Sequence, residues 1–113
     1  MAVRVYTDDP QGLLDAVYQA IDEGTIVTWA YDDDGDFTHT TASEQWEGQA
    51  WLTPIPQSGC LLLNILGAAN VETSKEIYAV YHGRFIEMLL VHFDEGFSRA
   101  DATAQPIAGD LPV

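Results

Sequence analysis

Residues 73–93 have the apolar spacing of a helix but no broad polar face, and that combination limits what this chain can fold into more than any other feature. Thr73-Ser74-Lys75-Glu76 has the form of a capping box, with Thr73 as cap and Glu76 reaching back to the cap's amide. Asp94-Glu95-Gly96 supplies a stop, with Gly96 suited to the left-handed residue that ends helices. At about 100° per residue, Ile77, Val80, Tyr81, Phe85, Met88, Leu89 and Val91 fall on one face, the expected core side. His92 and Arg84 project near that side. The opposite side carries Ala79, Gly83, Ile86 and Leu90 and is apolar as well. A helix apolar on two sides is buried on two sides, and Gly83 costs about 1 kcal/mol relative to alanine in a helix interior. Two coverings fit: the chain's own sheet or tail, or a second subunit in a homodimer through Ala79, Gly83, Ile86 and Leu90. Lys75, Glu76, Arg84 and Glu87, with His82 and His92, argue against a membrane-spanning role.

The run 60–66 is the second constraint. It is unbroken apart from Asn64, as a central strand covered on both faces would be. Around it the chain reads in order. Residues 2–7 alternate as a strand; Asp9 caps and Pro10 opens a helix over 10–23, with Leu13, Leu14, Val17, Ala20 and Ile21 on its buried stripe. Residues 25–33 and 36–41 form two strands around Asp34-Gly35, which reads as a two-residue hairpin turn. That register sets Ala30 opposite His39 and Trp29 opposite Thr40. It places Trp29 and Tyr31 on one face, with Asp32, Phe37 and His39 on the other. A connection over 42–48 leads to a strand over 49–55 that closes at Pro54 and Pro56, and an edge strand follows the long helix at 99–104, before Pro106.

The expected fold is α+β in two layers: a mostly antiparallel sheet of five to six strands with both helices on one face, in the order β-α-β-β-β-β-α-β. With 113 residues the chain makes one domain, 1–108, and a loose tail, 109–113. Aromatic residues near Trp29, Tyr31, Trp46 and Trp51 belong either to the core or to an exposed, ligand-binding sheet face.

Charge narrows the partners. Eighteen Asp and Glu stand against four Lys and Arg, a formal net charge of −14. Such a field repels nucleic acid and anionic membranes and attracts basic proteins; the same charge also serves solubility or a salty cytoplasm. Cys60 is the single cysteine, beside an apolar run, and reads as an inert thiol. The N-terminus lacks a signal-peptide layout, so a cytoplasmic protein is expected.

Catalytic constellations are thin. Asp32-Asp33-Asp34-Gly35-Asp36 gathers carboxylates beside a glycine, but its spacing misses the EF-hand, since Ala30 and Thr41 would fall at ligand positions. His39 and Asp32 on one hairpin face could orient an imidazole, yet no serine or cysteine has nucleophile context. His82 and His92 are about 15 Å apart along a helix and cannot share a metal. No metal or cofactor site is expected. The leading expectation is a small acidic interaction protein, an inhibitor, immunity protein or nucleic-acid mimic acting on a basic partner through Asp32, Asp33, Asp34 and Asp36, with Trp29, His39 and Arg84 as further binding candidates. The alternative is a small-molecule-binding module or enzyme with a pocket between sheet and helix, using Arg84 and the histidines.

Overall fold

In the computed structural model, which describes residues 2–40, 42, 46–69 and 72–111, the chain runs β1 (Ala2–Tyr6), α1 (Pro10–Asp22), β2 (Trp29–Tyr31), β3 (Phe37–His39), β4 (Ala50–Gln57), β5 (Cys60–Gly67), α2 (Lys75–Phe93) and β6 (Arg99–Ala102). The order is the one expected. All six strands join one antiparallel sheet, β2-β3-β4-β5-β1-β6.

Register explains the core. Val3 lies opposite Leu63 and Val5 opposite Leu61, while Leu52 pairs with both Ile65 and Phe37. Alternation then puts all of these on one face, where they pack with Leu13, Leu14 and Val17 of α1 and Tyr81, Phe85, Met88 and Leu89 of α2. β5 is buried on its other face too, at Leu62 and Asn64, which is why its sequence is apolar on both faces apart from Asn64. Pro54 and Pro56 do not end β4. They share one strand edge, and β3 reaches β4 only at Phe37 opposite Leu52, so no donor is needed where they sit.

Several local expectations need correction. α2 is capped by Ser74, whose Oγ accepts from the Ile77 amide, one residue later than expected; Thr73 is buried instead and Glu76 is no longer in capping-box position. Gly96 closes the helix by donating its amide to the Phe93 carbonyl, without a left-handed backbone. Val91 and His92 are exposed rather than core-facing. The C-terminal segment is tied down as far as Leu111, whose amide donates to the Ile65 carbonyl while Gly67 donates back to the Leu111 carbonyl. Asp110 Oδ1 accepts from the Asn64 side chain and the Ile65 amide, and its other oxygen accepts from Ile107. The expected looseness therefore does not hold for 109–111; Pro112 and Val113, like Thr41 and residues 43–45 of the expected connection, lie outside the described residues.

The largest correction is the β2–β3 register. Trp29 pairs with His39, Ala30 with Thr38 and Tyr31 with Phe37. The loop has three residues: Gly35 donates to the Asp32 carbonyl, Asp32 donates to the Asp36 carbonyl, and Gly35 takes φ +82°. This is a type I turn closed by a left-handed glycine. It moves Phe37 and His39 onto the same face as Trp29, into the core. α1 anchors the turn through the Tyr18 hydroxyl, which donates to the Gly35 carbonyl at 2.6 Å.

Gly35 thus admits no side chain. A Cβ would sit 2.8 Å from the Tyr18 hydroxyl and would force a left-handed residue. We expect Gly35→Ala to lower stability by about 1–2 kcal/mol and Tyr18→Phe by about 1 kcal/mol, measured by urea unfolding.

Candidate functional site

The acidic residues singled out by the sequence are brought together on one surface. Asp32 folds into its own turn, its Oδ1 accepting from the amides of Asp34 and Asp36 at 3.0 and 2.9 Å. The carboxylate oxygens of Asp32, Asp34 and Asp36 lie within 4.8 Å of one another. Asp32, Asp33 and Asp34 are exposed, whereas Asp36, on the same face, is buried. Burial raises the Asp36 carboxyl; a hydrogen bond with Thr53 lowers it, and the charges of Asp32 and Asp34 raise it again, leaving it above the ordinary carboxylate range.

α1 extends this surface. The Tyr31 hydroxyl donates to Asp22 Oδ1 at 2.6 Å, and the Tyr18 and Tyr31 rings meet edge-on at 4.6 Å. Burial first, then the charge of Asp36, then neighbours including Asp15 and Asp32, hold the Tyr18 hydroxyl above its usual pKa. No Lys or Arg occurs between Arg4 and Lys75, so α1, β2 and β3 contribute no cationic side chain of their own to this surface. That gap was legible in the sequence as position, not merely as total charge. Tyr31 is exposed beside Asp22, and Val27 is exposed as well.

Trp29 and His39 are not on that surface. Their rings stack at 3.9 Å beneath the helices, with Tyr81 edge-on to both at 5.7 and 4.7 Å and Phe85 edge-on to Trp29 at 5.1 Å. Tyr81 is itself fixed: its hydroxyl donates to the Trp46 carbonyl and accepts from the Gln49 amide. The expected Asp32–His39 pair does not form, since Asp32 is engaged in the turn and His39 is 2% exposed. Arg84 is exposed, contrary to its expected place near the core. The pocket drawn from Arg84 and the histidines is not assembled either: His39 lies in the aromatic cluster, His92 is exposed, and His82 lines a groove on the far side of α2 with Tyr78, Ala79, Gly83 and Ile86. Ala79, Gly83 and Leu90 of the expected dimer patch are exposed, and no described helix is long and apolar enough to cross a membrane.

No family model matches the chain, and neither the curated proteins nor the solved structures give a match.

His39 gives the cluster a pH signature. Burial lowers its pKa to about 4 from the usual 6.5; the hydrogen bond from Nδ1 to the Thr28 carbonyl raises it, and the charge of Arg84 lowers it. The unfolded chain therefore binds this proton more tightly. The stabilisation is complete above pH 6.5 and is lost as pH falls toward about 4, a loss on the order of 3 kcal/mol. Urea unfolding across that range should show wild type losing more stability than His39→Gln; equal losses would assign the proton to another group.

Proposed function

We propose that this protein binds a cationic partner protein through the surface formed by α1 and the β2–β3 tip, in the manner of an inhibitor, an immunity protein or a nucleic-acid mimic. The observation that carries the reading is the convergence of Asp15, Asp22, Asp32, Asp33 and Asp34 on elements that hold no Lys or Arg. Such a surface steers basic partners into contact and rejects acidic ones, so its main effects are on association rate and specificity. Tyr31 supplies what charge alone does not. It is an aromatic group on the same surface, in contact with Asp22 and Tyr18, the kind of residue on which binding energy concentrates. Nucleic acid is a poor partner for the same surface, whose charge has the sign of its phosphates. The cytoplasm is the setting in which this reading places the chain.

The test is capture from native lysate on immobilised protein, eluted with rising salt, using wild type and two variants of equal charge change. Asp32→Asn/Asp33→Asn/Asp34→Asn keeps the Oδ1 acceptor that holds the turn but removes the tip's charge. Glu76→Gln/Glu87→Gln/Glu95→Gln removes as much charge elsewhere. A basic protein should be retained by wild type and by the second variant and lost from the first at low salt. Retention that ignores both salt and the tip substitutions would overturn the reading.

A further inference from the structure

α2 is packed on one side and open on the other. Its outer face, Ala79, Gly83 and Ile86, forms one wall of a groove whose other wall is residues 102–106, the continuation of β6. The groove holds about 870 Å³, within the roughly 300–1,000 Å³ usual for small-molecule sites. A Cβ on Gly83 would meet nothing within 4 Å, so the glycine is not needed for close packing among the described residues.

His82 is the independent observation that points to a ligand. Its side chain lines the groove yet is only 5% exposed. Nδ1 lies 2.7 Å from the Tyr78 carbonyl. A carbonyl only accepts, so Nδ1 carries a proton, and in the tautomer protonated there alone Nε2 is a bare acceptor, on the edge turned away from that carbonyl. This Nε2 is buried and has no hydrogen-bond partner among the described residues. An acceptor left in that state wants a donor, which a ligand seated in the groove can bring. Residues 104–106 of the facing wall are exposed.

We infer that the groove binds a small organic amine, its apolar body on Ala79, Gly83, Ile86 and Pro106 and its N–H donated to His82 Nε2. In the Nδ1-protonated tautomer Nε2 only accepts, so carboxylate and phosphate oxygens offer it no hydrogen bond. The electrostatics agree. Glu72 is in the lining, with Lys75 as the single lining cation. Burial first, then the charges of Asp110 and Glu72, raise the Tyr78 hydroxyl above its ordinary pKa, which marks a negative field at that end. The Tyr78 ring, 6.1 Å from the His82 ring, offers an aromatic face to an ammonium. The groove lies beside β6, at the sheet edge opposite the acidic tip of β2 and β3, so this site does not depend on the binding surface proposed above.

Three matched probes test the inference on the full chain, followed by amide and imidazole nitrogen shifts: phenethylamine, phenethyltrimethylammonium and 3-phenylpropionate. Phenethylamine should saturate with shifts centred on Ala79, His82, Gly83 and Ala104. It should bind about tenfold or more tighter than the trimethylated cation, which keeps the charge but has no N–H, and tighter still than the carboxylate. His82→Phe and Gly83→Leu should each weaken it by about tenfold or more. Gly83→Leu enters open space and raises helix propensity, so it separates loss of the site from loss of the fold. The inference is overturned by equal binding of amine and trimethylated cation, by shifts centred on the acidic tip, or by no saturation into the millimolar range. A change of elution mass in Gly83→Leu with amine binding intact would likewise overturn it, assigning the face to contacts between copies of the chain.

Discussion

The register of one short hairpin decides what the core of this protein is made of. With three loop residues, Trp29, Tyr31, Phe37 and His39 share a face; with two, Trp29 would face the same way as Thr38 and Thr40, and Phe37 would turn outward. A one-residue slip in a strand pair moves every side chain to the other side of the sheet. Here, with Trp29 kept inward, it would remove Phe37 from Tyr18 and His39 from Tyr81. Gly35 in its left-handed conformation and the Tyr18 hydroxyl on its carbonyl together hold the register that the aromatic cluster needs.

The hairpin also shows where sequence reasoning reached and where it stopped. Asp34-Gly35 announces a turn, but the dipeptide serves both a two-residue loop and a three-residue loop with a terminal left-handed glycine. The signal that separates them was present in the flanks: only the three-residue register gathers the apolar side chains on one face. The helices and the order of strands were legible because their signals are local and repeated, as with Asp9 and Pro10 opening α1 or the apolar run of β5. The C-terminal clip was not. Asp110 grips Asn64 and Ile65 across a long stretch of chain, and a single carboxylate near the end of a sequence does not announce such a contact. Burial pushes the Asp110 carboxyl up, but hydrogen bonds from Ile107, Asn64 and Ile65 outweigh it and leave it below the usual range, as expected of a carboxylate that holds backbone amides.

For the candidate surfaces the balance is similar. The acidic tip was visible in sequence, while its continuity with α1 depended on contacts through Tyr18 and Tyr31 that spacing cannot supply. Trp29 and His39 lie in the core because the hairpin folds them inward. The second apolar face of α2 was visible too, since Ala79, Gly83 and Ile86 recur at helical spacing. Its opposite wall was legible only as an edge strand over 99–104, since nothing in the spacing sets that strand and the residues up to Pro106 against α2.

The two faces of α2 differ in a way that explains its odd composition. Toward the sheet, Tyr81, Phe85 and Leu89 are fully buried against Trp29, Phe37 and the β5 leucines, and interiors packed like crystals do not accept added volume. Toward β6, the helix presents small side chains and open space. A helix that needed only the first face would carry polar residues on the second, as α1 does with Asp15, Gln19 and Asp22. α2 instead carries alanine, glycine and isoleucine there, with His82 buried among them and half its hydrogen bonding unmet. Solubility, which the abundant carboxylates serve elsewhere, favours the opposite composition at those positions. The second face is therefore best accounted for by an occupant, and the unmet imidazole nitrogen sets what that occupant must bring.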